Sequence, residues 1–289
     1  MARALVVRAA GINCDEEMAR GFALAGAAVD RLHVRTLANN PELLDRYGVI
    51  GFPGGFSYGD DVASGRVLAL LVREKLYPAL RAAARRGVPM IGICNGFQVL
   101  TQAGLLPGPR GFWSRKAPDT IDWPAHPEPP AVALCDNAAG RYADRWVRLA
   151  VNPDSPCVWT RDLDPHDPHD DHTPTDPTGT LMLPVGHGEG RFFAPKATID
   201  ALLKNGQAPL TYLDNFNGSA GAIAGICDPT GRIFGLMPHP DRFLHWSRHP
   251  HYTRLDKRSI QGEPAPGLRM FINAVEAAAP SRLGSTRAG

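Results

Sequence analysis

A cysteine between two glycines, where a short apolar run meets a helical pattern, constrains this chain most. Val88–Ile93 is apolar and rich in β-branched residues, so it predicts a buried parallel strand. A helical pattern follows from Phe97 onward, which predicts a helix that begins just after Cys94. The stretch from Gly92 to Gly96 therefore predicts a sharp strand-to-helix turn of the form Gly-x-Cys-x-Gly, the cysteine version of a nucleophile elbow.

Cys94 has the position of a nucleophile in such a turn. The partial positive charge at the N-terminus of the following helix favours a thiolate there. The backbone N–H of Asn95 would point towards an oxyanion formed by attack at the sulfur, which makes it the first predicted oxyanion-hole donor. A buried structural cysteine is the alternative, since isolated cysteines are usually of that kind. The flanking glycines favour the nucleophile.

A glycine-rich loop, Pro53–Asp60 (PGGFSYGD), follows the predicted strand Val49–Phe52. In open α/β sheets, ligands bind at the carboxyl ends of the strands, where this loop would lie. No Gly-Lys-Ser/Thr follows the loop, so it is not a phosphate loop of the P-loop type. Gly55 is the predicted second oxyanion-hole donor, because a glycine lets the backbone approach a substrate closely. Alternatively, the glycines only make a turn.

The spacing of strand and helix patterns defines the fold class. Ala4–Arg8, Val29–Val34 and Val49–Phe52 predict strands, and helical patterns lie between and after them. This alternation predicts an α/β fold with an open, mostly parallel, twisted sheet flanked by helices. The chain length suits one domain over 1–289, with a frayed tail at 280–289.

The second half of the chain adds elements to that sheet. Pro107–Pro130 is rich in proline and predicts a long surface connection. Ala131–Cys135 and Arg145–Val151 predict two strands with a turn between them, and Asp228–Gly231 predicts the turn of a β-hairpin. The sequence therefore predicts an added hairpin region beside the parallel sheet.

An Asp-, His- and Pro-rich tract, 161–178, predicts a flexible surface insertion. Its histidines, His166, His169 and His172, suggest a metal site together with the neighbouring aspartates. The prolines keep the backbone extended, and no apolar residues surround the ligands to hold one geometry. We therefore expect no metal site in this chain.

A histidine between two prolines lies near the end of the last predicted strand. In the segment Met237–Arg242, His239 and Asp241 are two residues apart, so an extended backbone places them on one side. A nucleophile needs a base, and the base needs a group that orients it. Cys94, His239 and Asp241 supply these three roles. A surface histidine that caps a loop is the alternative for His239 taken alone.

Charge and cysteine content exclude several function classes. A net charge of +2 provides no basic surface for nucleic acid and no polybasic membrane anchor. Met1–Ala10 lacks the layout of a secretory signal, and no apolar stretch is long enough to span a bilayer. Five irregularly spaced cysteines predict reduced thiols and a cytoplasmic protein. Cys14, which lacks flanking elbow glycines, is interpreted as structural or incidental.

Taken together, the motifs resemble those of class I (triad) glutamine amidotransferases. The elbow, the proline-flanked His239 and the glycine-rich loop carry this resemblance, with His187–Arg191 (HGEGR) and Asn217–Ser219. Together these motifs narrow the resemblance to the glutaminase subunits of phosphoribosylformylglycinamidine synthase, which act in de novo purine biosynthesis. The match covers most of 4–244 and implies a flavodoxin-like fold.

The resemblance implies a reaction and a partner. Cys94 would attack the side-chain carboxamide of L-glutamine and form a thioester, and His239 would protonate the departing ammonia. Gln98, Gly188 and Glu189 match positions that bind glutamine. The ammonia would pass to a synthetase subunit that carries ATP and magnesium, with or without a small accessory subunit. No cofactor is expected in this chain.

Asp241 departs from the family pattern, which usually has glutamate there. Because aspartate is one methylene shorter, Glu189 is an alternative orienting residue for His239. Two other functions compete: a stand-alone cysteine hydrolase or deglycase on a similar fold, and a catalytically idle regulatory subunit. Cys94 and His239 are both present, which disfavours the idle subunit.

Overall fold

The computed structural model describes residues 1–112, 121–163 and 181–278, which are built on a nine-stranded sheet. A separate two-stranded sheet lies beside it. The strands of these two sheets, in chain order, are β1 (Arg3–Arg8), β2 (Ala28–His33), β3 (Val49–Phe52), β4 (Met90–Ile93), β5 (Ala133–Cys135), β6 (Ala143–Val151), β7 (Leu181–His187), β8 (Arg191–Phe193), β9 (Leu210–Tyr212), β10 (Ile223–Cys227) and β11 (Ile233–Leu236).

Helices flank the large sheet and follow most of its parallel strands. They are α1 (Asp15–Leu24), α2 (Val34–Asn39), α3 (Arg66–Leu71), α4 (Tyr77–Arg85), α5 (Asn95–Gln102), α6 (Lys196–Lys204), α7 (Lys257–Ile260) and α8 (Pro266–Glu276). A π-helical turn, Val72–Leu76, joins α3 to α4. No helix in the described part of the chain is long and apolar enough to cross a membrane.

The large sheet has a parallel half and an antiparallel half. Its strand order is β2-β1-β3-β4-β11-β10-β9-β6-β7, and the first five strands of this order run parallel. β10, β9, β6 and β7 continue the sheet through antiparallel pairs. The α/β fold predicted from the sequence, a mostly parallel sheet flanked by helices, is confirmed. The predicted hairpin at Asp228–Gly231 is the turn between β10 and β11.

β4 is buried on both faces, as the apolar run indicated. Met90, Ile91 and Ile93 have no exposed surface. Strands covered by helices on both faces read as continuous apolar runs rather than alternating patterns. β4 pairs with β3 on one side and β11 on the other, so the elbow lies at the centre of the sheet.

Of two expectations for the second half of the chain, one is confirmed and one is wrong. The two predicted strands with a turn between them are β5 and β6, although they do not pair with each other: β5 pairs with β8 in the small sheet, whereas β6 joins the large sheet. The connection 107–130 is not wholly a surface segment, because the described residues Ile121 and Trp123 are buried in the core. Proline content indicated the absence of regular structure there, but it carried no information about burial.

Some sequence predictions lie outside the described residues. The predicted insertion, 161–178, is described only at 161–163, and the tail at 280–289 is not described. The histidines of the rejected metal site, His166, His169 and His172, lie outside as well. A single domain over 1–289 therefore stays a prediction.

The closeness of α5 to β3 generates a stability prediction. A Cβ on Gly96 would overlap the carbonyl group of Phe52 in β3, whereas a Cβ on Gly111 would meet nothing within 4 Å. We expect Gly96→Ala to lower the free energy of unfolding by about 1–3 kcal/mol, because rigid backbone must move to relieve the overlap. The matched control Gly111→Ala should stay within about 0.5 kcal/mol of wild type. Urea unfolding followed by circular dichroism measures both, and equal midpoints for the two variants would contradict the prediction.

Candidate active site

Cys94 lies at the tip of the turn between β4 and α5. Its φ of 52° and ψ of −109° are a strained backbone conformation for a residue with a side chain. The Cys94 N–H donates to the Leu236 carbonyl at 2.8 Å, and the Cys94 carbonyl accepts from the N–H groups of Phe97 and Gln98. A Cβ on Gly92 would overlap the Gly96 carbonyl, so the elbow requires this glycine. The predicted nucleophile elbow is therefore present in the structure.

The Cys94 thiol borders a cavity of about 120 Å³. The residue is 7% exposed and lines this cavity, so a small molecule can reach it there. Its Sγ lies 3.8 Å from the carbonyl oxygen of Gly186 in β7. His239 borders the same cavity. The structure therefore brings the predicted nucleophile and the predicted base to one accessible site.

His239 follows β11, the strand that pairs with β4. Its N–H donates to the Pro184 carbonyl of β7 at 2.8 Å, and its Nδ1 lies 3.2 Å from Oδ1 of Asp241. Both side chains are buried. Because Nδ1 faces Asp241, Nε2 is the ring nitrogen left for chemistry, and it has no hydrogen-bond partner among the described residues. This is the geometry of an oriented general acid or base.

The electrostatic surroundings of His239 favour its protonated form. Burial by itself would lower the pKa of His239, but the charge and hydrogen bond of Asp241 raise it, together with contacts to the thiols of Cys14 and Cys94. The balance leaves the pKa of His239 well above its ordinary value. An imidazolium beside the Cys94 sulfur is the form that can protonate a leaving amine.

Asp241 occupies the place next to His239, and Glu189 does not. The Glu189 carboxylate accepts a hydrogen bond from the Ser64 N–H at 3.3 Å, on another wall of the cavity. The aspartate at position 241 reaches His239 despite its shorter side chain, because the 3₁₀ turn Pro240–Arg242 brings it close. The catalytic roles of the three residues stay predictions, and this geometry supports Asp241 as the orienting residue.

The two predicted oxyanion-hole residues flank the elbow. Gly55 borders the cavity with a φ of 141°, and a Cβ there would meet the backbone of Asn13 at 2.7 Å, so only glycine fits. Asn95 is the first residue of α5, where backbone N–H groups have no partner within the helix. Both N–H groups belong to segments that meet at Cys94, which is the arrangement an oxyanion hole needs.

Side-chain hydrogen bonds join three segments at the far wall of the cavity. Gln98 donates to the Glu189 carbonyl at 2.6 Å and accepts from Asn95 at 3.1 Å. Asn95 also donates to Asp60 at 3.0 Å, which in turn accepts from the Ser64 hydroxyl. Of the predicted glutamine-binding residues, Gln98, Gly188 and Glu189 all border the cavity. Gln98 also fixes the HGEGR loop through its bond to Glu189.

Asp60 and Glu189 make this wall acidic. Burial is the main reason that the pKa of Asp60 is raised, and the charge of Glu189 adds to it, while hydrogen bonds from Ser64, Gly65 and Asn95 lower it. A positively charged group of a ligand would relieve the repulsion between the two carboxylates. Asp60 is not among the site residues predicted from the sequence, although it ends the glycine-rich loop Pro53–Asp60.

Cys14 and Arg242 also lie at the site, although neither is among the site residues predicted from the sequence. The Arg242 guanidinium donates to the Cys14 sulfur at 3.3 Å and borders the cavity. Cys14 lies after β1, at the carboxyl end of a parallel strand, which is the signal that could have placed it here. The interpretation of Cys14 as structural or incidental stays a prediction, and the structure adds that its sulfur accepts a hydrogen bond from a residue of the cavity wall.

Cys14, His239 and Asp241 form the one group among the described residues that could hold a metal ion. Their ligand atoms lie within 4.8 Å of one another. The guanidinium of Arg242 at the Cys14 sulfur opposes a cation there. The absence of a metal site stays a prediction, and the geometry supports an acid–base role for these residues instead.

Known proteins resemble this chain over nearly its whole length. A family model of CobB/CobQ-like glutamine amidotransferase domains matches residues 1–276. The phosphoribosylformylglycinamidine synthase subunit PurQ of Dehalococcoides mccartyi is 38% identical over 281 residues, which cover 95% of this chain and 96% of that protein. The PurQ subunit of Methanococcus maripaludis is 36% identical over 294 residues, with the same coverage.

A solved structure is similar over nearly the whole chain. The structure of PurLQS from Thermotoga maritima matches with a TM-score of 0.66 and 28% identity, and covers 96% of this chain and 99% of that chain.

The pair formed by His239 and Asp241 generates a prediction about pH. Asp241→Asn removes the charge that raises the pKa of His239 but keeps a side chain of similar size, so we expect that pKa to fall. An NMR titration of the His239 ring protons measures it. We also expect glutamine hydrolysis to fall at least about tenfold. The control Asp241→Glu keeps the charge and should retain more activity.

The same variant should change how stability depends on pH. Because the folded-state pKa of His239 is raised, its contribution is present below the unfolded pKa of about 6.5 and is lost as the pH rises through the folded pKa. The stability advantage of wild type over Asp241→Asn should therefore be larger near pH 6 than at alkaline pH. Equal His239 pKa values in the two proteins would contradict the proposed pairing.

Proposed function

Since the chain belongs to the family of CobB/CobQ-like glutamine amidotransferase domains, we propose that it is the glutaminase subunit of a phosphoribosylformylglycinamidine synthase. The observation that carries this proposal is the meeting of Cys94 and His239 at one cavity, with Asp241 3.2 Å from His239. The chain is also similar to PurQ subunits over nearly its whole length. The subunit hydrolyses glutamine and passes ammonia to a synthetase, which converts formylglycinamide ribonucleotide to formylglycinamidine ribonucleotide.

The first half of the reaction forms a thioester. The Cys94 thiolate attacks the side-chain carboxamide carbon of glutamine, and the N–H groups of Gly55 and Asn95 stabilise the oxyanion. As the carbon–nitrogen bond breaks, the His239 imidazolium gives its proton to the leaving nitrogen, and ammonia departs. Asp241 holds the imidazole with Nε2 towards the sulfur.

The second half of the reaction restores the enzyme. The neutral His239 takes a proton from a water molecule, whose oxygen attacks the thioester carbon. The carbon–sulfur bond breaks, glutamate leaves and Cys94 returns as a thiolate beside a protonated His239. Gln98, Gly188 and Glu189 hold the amino-acid end of glutamine, and the acidic wall that Glu189 forms with Asp60 suits its ammonium group.

The synthetase partner accounts for the remaining chemistry of the complete enzyme, which is a ligase reaction. We assign ATP and magnesium to the synthetase subunit, in keeping with the absence of a P-loop motif after the glycine-rich loop. A small accessory subunit is a further partner in this proposal, in keeping with the similarity to the structure of PurLQS from Thermotoga maritima. The five cysteines are all free thiols, which favours a cytoplasmic setting.

Exposed aromatic side chains mark where the synthetase would dock. Phe56 and Tyr142 are about half exposed, and both border the cavity. Aromatic residues at a rim of this kind favour protein contacts. A partner that covers them would close the cavity, exclude bulk water and keep ammonia from being protonated in solvent.

Replacing the nucleophile should separate the two activities of the complex. We expect Cys94→Ala to abolish glutamine-dependent synthesis, by at least about a thousandfold, because no thioester can form. Synthesis from added ammonium should stay within about twofold of wild type, since the synthetase site is untouched. Assays of the reconstituted complex with glutamine or ammonium as nitrogen donor measure both.

Cys135→Ala is the matched control, because Cys135 lies in the small sheet, away from the cavity lining. It should leave both activities unchanged. Loss of both activities in Cys94→Ala would instead indicate a structural role for Cys94.

Partner docking should activate the subunit. We expect the isolated chain to release glutamate from glutamine slowly, and the rate to rise at least about tenfold when the synthetase is added, because docking orders and closes the site. A coupled glutamate assay with and without the synthetase measures the ratio, with an unrelated protein added as control. Equal rates would favour a stand-alone cysteine hydrolase.

A further inference from the structure

His187 is a buried histidine at the active site whose ring is not used by the mechanism above. It is the last residue of β7, is 4% exposed and borders the cavity that holds Cys94 and His239. Neither ring nitrogen has a hydrogen-bond partner among the described residues, although both are buried. Leaving a buried polar group unsatisfied destabilises a protein, so buried groups of this kind usually hold a water or a ligand.

The ring of His187 is held in place from several sides. Its centroid lies 5.8 Å from that of Phe216, and a Cβ on Gly190 would overlap the ring. The carbonyl of His187 accepts a hydrogen bond from the Asn137 side chain at 2.9 Å. The preceding residue, Gly186, has its carbonyl 3.8 Å from the Cys94 sulfur. The imidazole is therefore held in place, one residue along β7 from the Gly186 carbonyl that lies near the Cys94 sulfur.

The charge state of His187 limits what it can bind. Burial, with a smaller effect of the nearby His239 charge, lowers the pKa of His187 to about 4. At neutral pH the ring is uncharged, with one nitrogen that donates a hydrogen bond and one that accepts. Such a group neither attracts an ion strongly nor protonates an amine. It suits a small neutral molecule that can both donate and accept.

We propose that His187 binds a small neutral hydrogen-bonding molecule beside Cys94, either the water that hydrolyses the thioester or the ammonia released when the thioester forms. This inference rests on the proposed glutaminase function and extends it. In either case His187 is a binding residue: it holds the molecule by hydrogen bonds, and the proton transfers remain with His239. Water and ammonia share the required chemistry, so the experiment must distinguish them.

The test compares His187→Phe with His187→Gln in the reconstituted complex. Phenylalanine keeps the ring contact with Phe216 but has no polar atoms, whereas glutamine keeps one donor and one acceptor. We expect His187→Phe to impair glutamine-dependent synthesis about tenfold, which corresponds to the loss of one or two hydrogen bonds to the bound molecule. His187→Gln should retain a substantial part of the glutamine-dependent synthesis that His187→Phe loses. Ammonium-dependent synthesis and the rate of Cys94 alkylation by iodoacetamide should stay within about twofold of wild type.

Two readouts identify the molecule. If it is water, deacylation slows, and mass spectrometry of His187→Phe after mixing with glutamine shows the chain carrying a glutamyl group. If it is ammonia, hydrolysis continues at the normal rate, but more glutamine is consumed for each product formed. Either result supports the proposal.

Three results would overturn the proposal. One is a His187→Phe complex with normal turnover and normal coupling. Another is a parallel loss of Cys94 alkylation, which indicates a structural role. The third is a folded His187→Gln variant whose glutamine-dependent synthesis is no faster than that of His187→Phe. If His187→Phe fails to fold, a His187→Gln rate below a tenth of the wild-type rate would also overturn the proposal. A wild-type complex that does not hydrolyse glutamine would refute the proposed function itself. Failure of the proposed function can therefore be distinguished from failure of the His187 proposal.

Discussion

The pairing of β4 with β11 is the interaction on which the site depends. These strands run parallel, with Ile93 opposite Leu236, so the residues that follow both strands emerge at the same edge of the sheet. The Cys94 N–H donates to the Leu236 carbonyl at 2.8 Å, which ties the elbow to the strand that leads to His239. More than a hundred residues of chain separate the two strands. The register of one strand pair therefore sets the spacing between nucleophile and base.

Two histidines in one cavity are held in opposite charge states by their neighbours. His239 has Asp241 at 3.2 Å and a raised pKa, whereas His187 has no carboxylate partner and a pKa lowered to about 4. Both are buried, so the difference comes from the partner rather than from burial. One ring is then suited to donate a proton and the other to hold an uncharged molecule. Burial keeps His187 uncharged, and the positive charge of His239 adds to this effect because it also disfavours protonation of His187.

Local patterns in the sequence predicted those parts of the structure that depend on interactions between residues close together in the chain. The buried run before Cys94, the elbow glycines and the i, i+2 relation of His239 and Asp241 all follow from backbone geometry over a few residues. Cys14 and His187 were not assigned, because their roles depend on contacts between segments far apart in sequence. The partner of β5 was also missed, since a three-residue strand carries no register information. Trp123 shows the same limit, as its burial inside a proline-rich connection depends on what packs over it.

The curl of the sheet has a mechanical consequence. β7 is the outermost strand of the antiparallel half, yet it reaches back over the centre, where Pro184 accepts from the His239 N–H and Gly186 approaches Cys94. The parallel strands therefore form the base of the cavity. β7, at the margin of the antiparallel half, forms one of its sides. Because β7 contacts both the His239 N–H and the Cys94 sulfur, a shift of this outer strand would reach both reacting groups. The margin of the sheet therefore constrains the geometry at its centre.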